Sequence, residues 1–288
     1  MAKTQKSVVI TGVSSGIGFA AAKALTTSGF RVFGSVRKDD DAKRLAAELG
    51  LNFSPLIFDV TDEKAVKTAA ARVRSALNGE TLSGLVNNAG IAVAGPLVYL
   101  PIDDFRKQLD INLTGVVIAT QAFAPLLGVD KGLKGKPGRI VNISSGSGKK
   151  ASPFLAPYAA SKFGLEGLSE ALRQEMMVFG IDVIVIAPGM VATSIWDKAS
   201  EIDMAPYATT AFAKSIENVR FMALKQGKQG LPAEKIGQVV KLALTARSPK
   251  PRYAISKPSV AKYILALLSQ RTIDRMTANA IGLKRIKR

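Results

Sequence analysis

Short, unbroken apolar runs alternate along this chain with longer stretches in which apolar residues recur every three or four positions. The runs SVVITG (7–12), RVFGSV (31–36), FSPLIF (53–58), SGLVNNAG (83–90), RIVNIS (139–144) and DVIVIAPG (182–189) predict strands, and RYAIS (252–256) predicts a seventh. Continuous rather than alternating hydrophobicity is the pattern of strands covered on both faces. Between them, FAAAKALTTSG, DEKAVKTAAARVRSALNG and SKFGLEGLSEALRQEMMVFG carry helical periodicity, with Gly or Asn at the ends as C-cap residues. Strand–helix–strand alternation implies a parallel sheet with right-handed crossovers. The expected fold is α/β, a doubly wound parallel sheet of about seven strands with helices on both faces.

Regularity weakens after Pro188. Residues 190–230 are expected to form a lid that ends in a helix near Lys225, and a further helix is expected after Pro232. The pattern predicts one domain over residues 1–256 and a basic helical extension over 257–288. The N-terminus runs directly into a strand-like segment without an apolar leader, so no secretory signal is read and a cytoplasmic protein is expected. No apolar run reaches the roughly 20 residues of a bilayer span.

Composition narrows the chemistry. The 288 residues include no Cys and no His, which removes disulfides, thiolate nucleophiles, imidazole bases and the usual zinc ligands. The net charge is +18, and half of it sits in residues 248–288, with ten basic residues against one acid. Such a tail suits either plain solvation or an anionic surface, and peripheral membrane contact is one expectation for it.

The first strand runs into TGVSSGIG (11–18). Glycines at 12, 16 and 18 permit a tight turn and close approach to a pyrophosphate, and the helix that follows offers free N–H groups. Gly12, Ser14, Ser15, Gly16, Ile17 and Gly18 are therefore the expected phosphate cradle. At the end of strand two an acid would bond the ribose of NAD, whereas Arg suits the 2′-phosphate of NADP. The residue there is Arg37, so NADP(H) is expected, with NAD(H) possible.

Two pentads, YAASK (158–162) and YAISK (253–257), place a Tyr four residues before a Lys. The succession TGVSSGIG, NNAG (87–90), NISS (142–145) and YAASK resembles the short-chain dehydrogenase/reductase family, whose fold is of the Rossmann type. The resemblance implies hydride exchange between a nicotinamide and a carbonyl or secondary alcohol. It implies Tyr158 as general acid–base, its phenol made more acidic by the Lys162 ammonium. Ser145 would bond the reacting oxygen, and Asn112 of INLTG would tether a water near Lys162. Ser144, one residue off, would point to the other side of its strand. Asp59 and Val60 would flank the adenine. Asn88, Ala89 and Gly90 would line the cofactor, while Asn87 supports the sheet. Pro188, Gly189, Val191 and Thr193 would shape the nicotinamide site.

The second pentad has Val240 thirteen residues before its Tyr, and Lys257 precedes Pro258, so it reads as a strand without catalytic role. Phe154, Leu155, Met190, Ile195, Trp196, Met204, Phe212 and Met222 suggest a hydrophobic steroid-, retinoid- or acyl-like ketone or alcohol as the substrate partner. The resemblance further implies a homodimer or homotetramer. The alternative function is an NADP-sensing regulator with a nucleic-acid-binding tail, for which the intact Ser–Tyr–Lys set has no use.

Overall fold

The computed structural model describes residues 5–193, 205–257 and 267–283. Ile195, Trp196 and Met204 of the expected lid lie outside the described residues, as do residues 258–266 and 284–288 of the extension.

The chain forms β1 (Ser7–Ile10), α1 (Gly16–Thr26), β2 (Arg31–Val36), α2 (Asp39–Leu49), β3 (Phe53–Ile57) and α3 (Glu63–Leu77). Then come β4 (Gly84–Asn87), α4 (Ile102–Leu109), α5 (Gly115–Phe123), β5 (Arg139–Ile143), α6 (Ala156–Glu175) and β6 (Asp182–Pro188). The last described elements are β7 (Val191–Ala192), α7 (Ala213–Lys228), β8 (Leu231–Pro232), α8 (Ala233–Thr245), β9 (Arg252–Ile255) and α9 (Gln270–Ile281). Seven strands make one parallel sheet in the order β3-β2-β1-β4-β5-β6-β9. The sheet is the α/β doubly wound architecture that the run pattern predicts.

Strand parity explains why those runs are continuous. Val8, Ile10, Val32, Val86, Val141 and Ile184 face one core with Leu25 of α1 and Val240 of α8. Their neighbours Val9, Phe33, Leu85, Ile140 and Val183 face a second core with Val73 of α3 and Phe123 of α5. With both faces buried, alternation has no exposed side to display.

Several strands stop earlier than their apolar runs. β1 ends at Ile10 because the chain turns at Gly12, whose φ is +70°, and again at Gly16, φ +60°. SGLVNNAG pairs only to Asn87, where the side chains begin to serve the turn. The two-residue ladder of β7 with β8 was not foreseen; it joins the two ends of the segment expected as a lid.

α4 and α5 are one rod joined by a π turn at Asp110–Thr114. The helical stretch Ile102–Leu127 is long and apolar enough by composition to cross a membrane, although its apolarity is interrupted by polar residues. Here Val116, Ala119, Phe123, Leu126 and Leu127 of that stretch are buried in the core. α9, in the basic extension, lies on α7, and Asn218 Nδ2 donates to Ile281 O at 3.2 Å.

Strand order reverses between β1 and β4. Ligands of such sheets sit beyond the carboxyl ends of the strands at this switch point. Gly12, Asn88, Ser145 and Gly189 all follow those ends.

Candidate active site

The glycine-rich turn is fixed by its neighbours. Gly12 N donates to Ser35 Oγ of β2 at 2.9 Å, and Val13 N to Ser35 O at 2.9 Å. Asn88 Nδ2 donates to Thr11 O at 2.9 Å and to Gly12 O at 2.8 Å. The Thr11 hydroxyl accepts from the backbone N–H groups of Asn88 and Ala89, each at 3.0 Å. Asn88 therefore shapes the cradle by holding its turn, with both amide hydrogens engaged. Asn87 supports the sheet as expected, donating to Asn142 Oδ1 at 2.9 Å and Thr120 Oγ1 at 3.2 Å.

Side chains have no room at the glycines. A methyl group at Gly18 would lie 2.2 Å from Gly12 O, and one at Gly12 would lie 2.9 Å from Ala89 Cα. A methyl at Gly16 would lie 3.3 Å from Thr193 Cγ2, so the end of β7 reaches the turn. Ser14 and Ile17 are partly buried and Ser15, at the start of α1, is exposed, which leaves the α1 N-terminus accessible. The residues present fit the pyrophosphate of a dinucleotide at this helix start.

Arg37 lies just past β2 and faces Asp59 just past β3, Nη1 to Oδ2 at 3.8 Å. Asp59 Oδ1 is fixed by Thr61 N at 3.0 Å and by its hydroxyl at 2.8 Å. Val60 is buried; a methyl at Gly115 would lie 2.7 Å from its Cγ2. A cleft of about 530 Å³ opens here, lined by Arg37, Asp59, Thr61, Ile111 and Thr114 among others. Ser145, Tyr158 and Lys162 do not line it.

Those three meet where β5 and α6 converge. Ser145 follows β5 in extended conformation; its hydroxyl accepts from Ser147 N at 3.1 Å and lies on the Tyr158 side of the strand end. Ser144 is buried without a hydrogen-bond partner for its hydroxyl among the described residues, so the strand separates the two serines. Tyr158 and Lys162 share one face of α6, with Lys162 Nζ 5.8 Å from the Tyr158 ring centroid. Nζ also donates to Ile143 O at 2.8 Å.

Asn112 sits in the π turn, fully buried. Its Nδ2 donates to Ile91 O at 3.0 Å and Ser161 Oγ at 3.1 Å, and its Oδ1 accepts from Ile91 N at 2.8 Å. Ser161 in turn donates to Tyr158 O at 2.7 Å. Asn112 thus ties the loop after Gly90 to the first turns of α6 through side-chain bonds. Pro188 ends β6, and Gly189 N donates to Ile255 O at 2.7 Å. Val191 is buried in β7 and Thr193 is half-buried beside Gly16.

Burial dominates the electrostatics of the pair. Burial pushes the Tyr158 phenol above its ordinary value, offset in part by the Ser145 hydrogen bond. Burial also pulls Lys162 down to about 8, offset in part by attraction to Glu166. In the protein alone burial outweighs the acidifying effect of Ser145. Both side chains share one desolvated place, and desolvation opposes either charge.

In the loop before α6, Phe154 holds a left-handed backbone, φ +64°. Its ring meets Phe212 edge-on at 5.8 Å between centroids, and Phe212 meets Tyr99 at 6.1 Å. Gly95 N donates to Phe154 O at 2.8 Å, joining the loops after β4 and β5. Leu155 adjoins this cluster at the N-cap of α6, and Met190 and Met222 are partly buried. Tyr99 was not singled out in the sequence because an aromatic in an irregular loop carries no period. Thr11, Ser35 and Ser161 were missed as well, since isolated hydroxyl residues give no spacing signal.

A parallel sheet with a glycine turn at its switch point and a Ser–Tyr–Lys array beside it defines a nucleotide-binding oxidoreductase. The short chain dehydrogenase family profile matches residues 6–203, and the chain belongs to that family, whose members act on CH–OH or C=O groups. It is 37% identical over 269 residues to an NADPH-dependent 3-dehydrocapnine reductase of Ornithobacterium rhinotracheale, covering 93% of this chain and 94% of the relative. It is 33% identical over 270 residues to the mitochondrial D-beta-hydroxybutyrate dehydrogenase of Bos taurus, covering 86% and 76% of the two chains. Among solved structures, a short-chain dehydrogenase from Streptomyces avermitilis superposes with a TM-score of 0.75 at 25% identity, covering 97% of this chain and 98% of the other.

Proposed function

We propose that the protein is an NADP(H)-dependent reductase of hydrophobic ketones, running in reverse on secondary alcohols, with Tyr158 as the proton carrier. The observation that carries this reading is the Ser145–Tyr158–Lys162 array beside a glycine turn with no room for side chains.

Gly12, Ser14, Ser15, Gly16, Ile17 and Gly18 would hold the pyrophosphate, Arg37 the 2′-phosphate, and Asp59 with Val60 the adenine. Ala89 and Gly90, backed by Asn88, would line the groove, and Pro188, Gly189, Val191 and Thr193 would hold the nicotinamide. The bound cofactor supplies the hydride and, in its oxidised form, a positive charge that favours phenolate. Ser145 orients the substrate oxygen by hydrogen bonding. Tyr158, whose raised value keeps its proton at neutral pH, is suited to donate that proton to the developing alkoxide. Lys162 holds the ribose hydroxyls and, when protonated, favours the phenolate left behind.

The NADP preference rests on Arg37 and accords with the name of the Ornithobacterium relative. The hydrophobic substrate class rests on the Tyr99–Phe154–Phe212 wall. Assembly as a homodimer or homotetramer rests on the exposed apolar side chains of Val98 before α4, Ile102 of α4 and Phe163 of α6.

NADPH consumption with a panel of long-chain and cyclic ketones tests the activity. Arg37→Ala is expected to weaken NADPH binding about tenfold or more while sparing NADH, since a charge-assisted bond is worth roughly 1.5–3 kcal/mol. Unchanged NADPH affinity in that variant would refute the role of Arg37.

A further inference from the structure

Glu166 and Gln108 are buried polar side chains outside the reacting groups. Glu166 is already matched, since Arg252 grips both its oxygens, Nε to Oε2 at 2.8 Å and Nη2 to Oε1 at 3.1 Å. Gln108 poses the sharper question. Of the α4 residues IDDFRKQL, Gln108 is the buried one, at 0% exposure. A buried amide costs free energy unless its hydrogen bonds are made, and Leu or Met would fill similar space without that cost. The reason for a Gln lies in what its amide holds.

It holds the chain that leaves the cofactor groove. Beyond Gly90, alternate backbone N–H groups donate to three different partners. Ile91 N donates to Asn112 Oδ1 at 2.8 Å, Val93 N to Gln108 Oε1 at 2.6 Å and Gly95 N to Phe154 O at 2.8 Å. Ile91 O accepts from Gln108 Nε2 and from Asn112 Nδ2, each at 3.0 Å. A period of two is that of an extended chain, whose successive residues face opposite sides. β4 has ended at Asn87, so these backbone groups have no sheet neighbour to pair with. Buried backbone groups need partners, and two side-chain amides four residues apart on the α4 rod supply them.

The three bonds hold different parts of the segment. Asn112 anchors the cofactor end, where a methyl at Gly90 would lie 3.1 Å from its Oδ1. Phe154 O anchors the far end, beside the rings of Phe154, Phe212 and Tyr99. A methyl at Gly95 would lie 2.7 Å from the Tyr207 hydroxyl oxygen, so the chain there is closely packed. Gln108 takes Ile91 O with one end of its amide and Val93 N with the other, and so couples the two ends.

We propose that Gln108 is a positioning residue for ketone reduction, setting the aromatic wall of Tyr99, Phe154 and Phe212 at a fixed distance from the cofactor groove at Gly90. The inference rests on the reductase reading, in which that wall receives the ketone.

Gln108→Met fills similar space and removes both bonds. In the full chain it is expected to raise the KM of a ketone about tenfold, with kcat and the NADPH Kd each changed by about twofold at most, because Asn88 and Asn112 still hold the cofactor side. Amide hydrogen exchange reads the same event without turnover. Exchange at Val93 and Gly95 should quicken by about tenfold or more in the variant, while exchange at Ile91 should not. Gln108→Asn keeps an amide but falls one methylene short; it should give intermediate values, and it carries the test if Gln108→Met does not fold. A ketone KM unchanged in a folded variant, a parallel loss of NADPH affinity, or unchanged exchange at Gly95 overturns the proposal. If the wild type turns over no ketone, the reductase reading fails, while exchange at Gly95 still decides whether Gln108 governs the place of the wall.

Discussion

Tyr158 and Lys162 stand one turn apart on α6, with the lysine buried and its Nζ 5.8 Å from the phenol ring centroid. Tyr253 lies in edge strand β9, its hydroxyl accepts Lys250 N at 3.0 Å, and Lys257 is exposed beyond the strand end. Both pairs have the same spacing in sequence. On a helix, four positions return to the same face. Along a strand they span about 13 Å. A spacing acquires chemical meaning only through the period of the element that carries it. Burial then adds what spacing lacks: Lys162 is pulled down to about 8 in its enclosed place.

The sharpest way to break this contrast is to remove the two phenol oxygens in turn. Tyr158→Phe should lower kcat for ketone reduction by about 10²–10⁴-fold, the span of general acid–base catalysis. Tyr253→Phe should change it by about twofold at most, as for substitutions away from a site. Comparable losses in both variants would end the distinction between the pentads, and an active Tyr158→Phe would end the proton-carrier reading.

The same principle marks what the sequence made legible. Elements with a period or a backbone demand were readable: the strand runs, the turn at Gly12, Gly16 and Gly18, and the helical Tyr158–Lys162 pair with Ser145 before it. Contacts between distant residues were not. Glu166 is four residues past Lys162 and visible as its neighbour, but Arg252 is 86 residues away from it. Asn88 and Asn112 were read as lining and relay groups, yet their amides hold Thr11, Gly12, Ile91 and Ser161. The desolvation that raises the Tyr158 phenol was not legible either, because it arises only from packing.

The lysines extend the comparison to stability. Lys162 has an ordinary value of 10.5 and is held at about 8 in the fold. The unfolded chain therefore binds the extra proton across that interval. Below pH 8 the fold bears the full cost of keeping the buried amine charged, and the cost is relieved as pH rises from there. Tyr158 opposes this only as pH passes the phenol's ordinary value of 10.0. Between pH 8 and 10, urea unfolding should show a gain of about 2 kcal/mol attributable to Lys162. The gain should vanish in Lys162→Met and persist in Lys257→Met. A flat wild-type profile over that interval would contradict the burial of Lys162.

The smallest effect isolates the backbone period itself, free of chemistry. Ala160 and Ala254 are exposed residues inside the two pentads, one helical and one on an edge strand. Valine loses rotamer freedom against the preceding turn of a helix, so Ala160→Val should cost about 0.5 kcal/mol. A pleated edge accommodates the same branched side chain, so Ala254→Val should be neutral or gain a few tenths of a kcal/mol. Chemical denaturation of the two single variants reads both values. Opposite signs would show that the two pentads differ in period before any catalytic group is considered, whereas equal costs would mean that local packing, not the element, sets the tolerance of these positions.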